Sequence, residues 1–363
     1  MSHHLDYPAD ATLDISDAYC FAAPADAHGP RTVFGINTSP LTAPTWNTAG
    51  YYELKIDTDG DLVEDITFRA TFPIGPDGTQ HVQVVQLTGA AARDRNASGT
   101  IITPANAPIG EVVECLNGIT LFAGERLDPF RNFIPYPVGT TTALATGTFP
   151  DYAAAGPPSN FFANTGVRSF ILEVPVKITG HRELNFWGAT AYFDTGHNMW
   201  VQVQRAGNPN MTTFFDFAGG SAKVADYNGT EPTIDLVGRP HHPATDPASG
   251  IWGQVRDNIA AVVEAGGTYD NLPHRFPTAR AYGAWAADRL LPNVIKYIPG
   301  TVALWDPWFD IQNGKGILED IGSNAIKMIV NQDFNSGLPA GPVLDYFPYL
   351  SPPPAPPAPP AAS

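Results

Sequence analysis

Apolar and polar residues alternate along much of the first half of the chain, and the alternation predicts strands. In Ile66–Phe72 the side chains of Ile66, Phe68, Ala70 and Phe72 fall on one face and those of Thr67, Arg69 and Thr71 on the other. That period of two describes a half-buried antiparallel strand. Thr32–Asn37, Tyr51–Ile56 and His81–Leu87 read the same way, and Val167–Ile178, Leu184–Phe193 and Met199–Arg205 read as a β-meander in mid-chain. Beyond Gly250 the period changes. Ile251–Ala265, Thr278–Leu291 and Gly316–Val330 carry helical spacing and helix-forming residues, so helices are expected to pack against the sheets there.

Composition narrows this to a mainly β fold. The 363 residues include 36 Pro and 34 Gly, which exclude long uninterrupted helices from most of the chain, since Pro removes a backbone donor and Gly weakens element interiors. Hydrophobic residues at 43% supply a large core. The expected architecture is a large antiparallel β-sandwich or barrel-like single domain over residues 1–350, with several helices in the C-terminal third. Residues 351–363, SPPPAPPAPPAAS, read as a disordered polyproline-type tail: a spacer, a docking segment or an inert end.

Charge and motifs then restrict function. A net charge of −16 repels phosphate backbones and anionic lipid, so nucleic acid and membrane surfaces are excluded as partners, and metal cations and neutral small molecules are favoured. No run approaches the roughly 18 apolar residues of a spanning helix. The opening Met1 to Asp6 does not read as a secretory leader, so the chain as written reads as soluble and cytoplasmic, or as exported if a leader has been replaced. Cys20 and Cys115 allow one disulfide at most, or two small buried thiols. No phosphate-binding loop, nucleophile elbow or zinc-protease helix is present.

The sharpest motif is KIDTDGDLVEDITF, residues 55–68, with five carboxylates within nine residues between two predicted strands. Asp57, Asp59, Asp61 and Asp65 alternate around Gly60, a spacing able to aim hard oxygen ligands at one cation, with Glu64 pointing away; calcium comes first on ligand hardness. The alternative is a polar hairpin, because Asp also hydrogen-bonds the amides of its own turn. A cation here would act chiefly as a clamp across the hairpin.

Several separated motifs together resemble the bacterial domain of unknown function 4331 family: Ser2-His3, then Asp14 to Phe21, the acidic hairpin, Phe122 to Phe130, Arg205 to Pro209, and Asp345 to Leu350, in that order. The acidic loop also resembles the calcium loops of integrin-type FG-GAP repeats. The family resemblance implies one β-rich domain with helical additions and supplies no reaction. It also implies an N-terminus tucked into the fold, where His3 would meet Asp14, Asp17 or Asp128. His3, Asp17, Arg126 and Asp128 are therefore the catalytic candidates, for acid–base or metal-assisted chemistry on a small organic molecule. The competing reading is a non-catalytic binding or structural protein, in which the Arg residues find carboxylate partners such as Asp14 or Asp17 inside the fold.

Overall fold

A computed structural model of the chain describes residues 10–25, 29–38, 45–131, 133–134, 136–154, 156–160, 165–209, 211, 227–240 and 250–354. It is mainly β. One sheet places five strands side by side in the order Ile15–Ala22, Arg31–Thr38, Gly166–Pro175, Thr120–Leu127 and Val112–Glu114. A second runs Met199–Ala206, Leu184–Asp194, Gly50–Asp57, Ile66–Thr71, His81–Thr88 and Thr100–Ile101, and Ile295–Tyr297 and Ala107–Pro108 pair along its side. Every pairing within them is antiparallel.

The two sheets share one core. Phe34 and Ile36 of the first and Leu54, Ile56, Phe68 and Phe186 of the second belong to one cluster of buried side chains, and the Phe34 and Phe186 rings lie 5.2 Å apart. Burying such a side chain contributes about 1.5–3 kcal/mol, and alternation along each strand brings it there. The mid-chain meander is corrected in one respect. Leu184–Asp194 and Met199–Ala206 do form a hairpin, but Gly166–Pro175 belongs to the other sheet, and the chain crosses between sheets through the short helix Val176–Thr179. Pro175, with no amide proton to continue a ladder, is where that strand ends.

Ile66–Thr71 differs from its half-buried expectation. Ile66, Phe68 and Ala70 face the core, yet Thr67 and Arg69 on the opposite face are also buried. The turn Gly89–Arg93 and the residues after it cover that face: Thr67 donates to the Ala92 carbonyl, and Arg69 to those of Asp94 and Arg95. The covered face holds a charged network in which Glu53 meets Arg69 at 2.7 Å and Lys55 meets Glu64 at 2.7 Å.

In the C-terminal third the helices Ile251–Gly266, Ala279–Leu290 and Ile321–Val330 pack largely on one another and build a second hydrophobic cluster. Thr278 caps the second of them by accepting from the Ala281 amide. A further helix, Tyr136–Thr146, lies in a stretch whose Thr, Gly and Pro content gave no helical signal. Helix contact is closest at Gly283, where an added Cβ would sit 2.2 Å from the Arg256 carbonyl oxygen. Gly283→Ala is therefore expected to destabilise the protein by about 1–3 kcal/mol through overpacking, despite the better helix propensity of Ala. Chemical denaturation checks this, and a raised midpoint would show that the helices are free to separate.

Candidate functional site

The acidic motif forms the turn between strands Gly50–Asp57 and Ile66–Thr71, closed where the Asp65 amide donates to the Ile56 carbonyl at 2.9 Å. Asp57 organises it from a fully buried position. Its Oδ1 accepts the amides of Asp59 at 3.0 Å and Gly60 at 2.7 Å, and its Oδ2 accepts the Leu62 amide at 2.8 Å and the Asn185 side-chain amide at 2.7 Å. Gly60, at φ 88°, takes the left-handed conformation that a glycine adopts without strain. Leu62 is also left-handed, at φ 66°, and its side chain packs with Trp187 and Val294; that burial offsets the strain.

Asp57, Asp59 and Asp61 each present one carboxylate oxygen within 4.8 Å of the others, a group that could hold a metal ion. Asp59 and Asp61 are exposed; Oδ1 of Asp59 accepts the Asp61 amide at 3.3 Å and Oδ1 of Asp61 the Val63 amide at 2.8 Å. A hydrogen bond from the Asp61 amide lowers the Asp59 pKa, but slight desolvation and the charges of Asp61, Asp65 and Asp57 together carry it above the ordinary value. A bound cation would relieve that repulsion. Asp65 stands apart from the three, its Oδ2 accepting from the Thr58 amide at 2.8 Å and the Thr58 hydroxyl at 2.6 Å. Glu64, expected only to point away from the ion, pairs with Lys55.

Of the catalytic candidates, Asp17 and Asp128 come together and Arg126 does not join them. Tyr19 bridges the pair, its hydroxyl 2.9 Å from Asp17 Oδ2 and 3.5 Å from Asp128 Oδ1. All three are buried. The guanidinium of Arg126 lies 3.8 Å above the Phe122 ring and donates to the Glu125 carbonyl. His3 lies outside the described residues. The partner that sequence reasoning missed is Lys315, also buried, whose Nζ contacts Asp17 Oδ1 and lies 4.8 Å over the Tyr19 ring. The adjoining cavity, which Tyr19 helps to line, measures about 10 Å³, room for about one water.

Asp14, from the same motif, accepts the Gln204 side-chain amide at 2.7 Å, and burial pushes its carboxyl up to about 8 against that hydrogen bond. Arg205 pairs with Asp235 rather than with Asp14 or Asp17, at 2.5 and 2.9 Å. Asn208 donates to the carbonyls of Leu290 and Pro292 and accepts from the Trp305 indole, so the Arg205 to Pro209 motif ties the second sheet to the helices. Cys20 and Cys115 are both free thiols. A separate groove of about 350 Å³ is lined by Arg31, Asn117, Lys177 and His181 among others. His197 is exposed beside Asp194, and His241 and His242 lie outside the described residues.

Fold and site thus define a mainly β protein with an acidic turn able to hold a metal ion. No family model matches the chain, and no curated protein or solved structure matches it. Among the described residues no helix is long and apolar enough to cross a membrane.

Proposed function

We propose that the protein binds a divalent cation, calcium before others, at the Asp57–Asp61 turn, and that the ion clamps the hairpin. The observation that carries this reading is the convergence of three carboxylate oxygens within 4.8 Å on the five residues Asp57–Asp61. Hard carboxylate oxygens with no nitrogen or sulfur donor among them suit calcium or magnesium, and an exposed turn of adjustable geometry favours the larger ion. Both oxygens of Asp57 already accept two hydrogen bonds each. Asp57 therefore reaches an ion only by giving one up, and Asp59 and Asp61 contribute most of the charge that binds it.

With few charged ligands the affinity expected is that of the weaker calcium modules, roughly 10⁻⁴–10⁻³ M. The motif order, which resembles that of the domain of unknown function 4331 family, is in keeping with a β-rich protein in which this turn is one element of a larger pattern. For a small-molecule partner the reading points to the groove lined by Arg31, Lys177 and His181.

Calorimetric titration with calcium tests the reading. Saturable binding is expected in the intact chain and its loss in the Asp59→Asn, Asp61→Asn double variant. Equal affinity in the two proteins would remove the site from this turn.

A further inference from the structure

We propose that Lys315 and Asp17 condense into an intramolecular amide, a covalent cross-link between the N-terminal strand and the C-terminal region, with Asp128 supplying a proton through Tyr19. The two residues stand 298 positions apart in sequence, and Lys315 Nζ already touches Asp17 Oδ1, an oxygen on the carbon it would attack. The backbone holds them there: Cys20 and Lys315 exchange both backbone hydrogen bonds, at 3.1 and 2.7 Å, so Lys315 is anchored alongside the strand that carries Asp17. Lys315, Asp17, Tyr19 and Asp128 are all 4% exposed or less. A fully charged ammonium–carboxylate pair gains little in such a place, whereas the neutral amide needs no desolvation of charge.

The surroundings fit the reaction. Burial pulls the Lys315 amine down to about 7, against the opposing charge of Glu319, so an uncharged nucleophile is available near neutral pH. Burial holds the Asp128 carboxyl above its ordinary range, despite a hydrogen bond from the Phe130 amide, a shift in the direction that a proton donor requires. The Tyr19 hydroxyl connects Asp128 Oδ1 to Asp17 Oδ2, and the Asp17 oxygen facing Lys315 also accepts the Ala18 amide at 3.0 Å. Attack of Lys315 Nζ on Asp17 Cγ forms the C–N bond. The ammonium passes its first surplus proton to the carboxylate oxygen it touches, Asp128 relays a second through Tyr19 so that the C–O bond breaks and that oxygen leaves as water, and the nitrogen's remaining surplus proton restores Asp128. An ammonium and a carboxylate thereby become one amide and one water, with no oxidant, reductant or cofactor.

The product would close a loop of nearly the whole described chain, the arrangement in which a cross-link removes most freedom from the unfolded state. It would also exclude the pair from catalysis on an external substrate.

Intact-mass measurement of the denatured full chain tests this, with peptide sequencing to place any cross-link. The expected mass is that of the sequence less one water, allowing for removal of Met1, with one branched peptide joining Asp17 to Lys315. Lys315→Arg and Asp17→Ala chains should keep the full mass. Asp128→Asn should also keep it while Asp128→Glu regains the loss at least in part, a pattern that a purely structural role for Asp128 would not produce. An unmodified mass in the natural sequence overturns the proposal, as does a water loss that maps to the Asp59-Gly60 or Asp77-Gly78 bond. A fully cross-linked Asp128→Asn chain would remove Asp128 from the reaction.

Discussion

Replacing Arg205 with Ala is expected to destabilise the folded chain by about 3–5 kcal/mol, the range for stranding one member of a buried ion pair. Arg205 and Asp235 are both fully buried and joined by two hydrogen bonds. The guanidinium also lies 4.3 Å over the Tyr227 ring. Burial alone would lower the Arg205 pKa, but the charge and hydrogen bonds of Asp235, together with Tyr227 and Glu231, drive it upward. Removing Arg205 leaves Asp235 buried without its cationic partner, held by donors such as the Asn293 amide at 2.8 Å. Arg205→Lys should recover only part of the loss, because an ammonium cannot reproduce the two-pronged contact. Urea unfolding of the three proteins checks the order, and an Arg205→Ala chain within about 1 kcal/mol of the natural one would mean that the pair is more solvated than its burial indicates.

The second large effect concerns Asp57. Asp57→Ala removes the acceptor of four hydrogen bonds at once. The Asp59 and Gly60 amides can turn to water, but the Leu62 amide and the Asn185 side chain are buried, and each stranded donor costs about 1–3 kcal/mol. A loss of about 2–5 kcal/mol is expected whether calcium is present or chelated. Asp59→Asn with Asp61→Asn should behave oppositely, leaving the calcium-free stability within about 0.5 kcal/mol, as exposed substitutions usually do. Guanidinium unfolding with chelator separates the two roles; equal destabilisation by both changes would show that the turn has no division between anchor and ligand.

How much of this was legible depends on whether the deciding contact was local. Ile66, Phe68 and Ala70 announce their strand by alternation alone, and Thr278 marks its helix as a cap. The acidic turn is legible for the same reason, since Asp57, Asp59 and Asp61 lie within five residues and the turn folds on its own amides. What alternation could not show is what covers a strand's second face: Thr67 and Arg69 look solvent-facing until the segment at 89–95 folds over them. Gly166–Pro175 and Leu184–Asp194 look like neighbours, because both are long buried runs, and only the sheet assignment separates them.

The candidate site followed the same division. Asp128 stands out as a polar residue among Phe, Gly and Pro, and Asp17 only through the family resemblance; neither signal shows that Tyr19 bridges them. Lys315 was invisible because its partner lies 298 residues away. Its one local signal is a Lys flanked by glycines at 314 and 316 in a segment that otherwise reads as the start of a helix. Asp65 shares the spacing of the cation ligands, yet Thr58, seven residues earlier, claims its oxygen.

The cation reading is tested most directly by thermal melting in about 10 mM calcium against chelator, a tenfold excess over the weak end of the expected affinity. Binding to the folded chain alone would then add about 1.4 kcal/mol, a rise of roughly 2 °C for a chain of this size. The account predicts that rise in the natural sequence and its disappearance in the Asp59→Asn, Asp61→Asn chain. Identical melting with calcium and with chelator in the natural sequence, or an undiminished rise in the double variant, would contradict it.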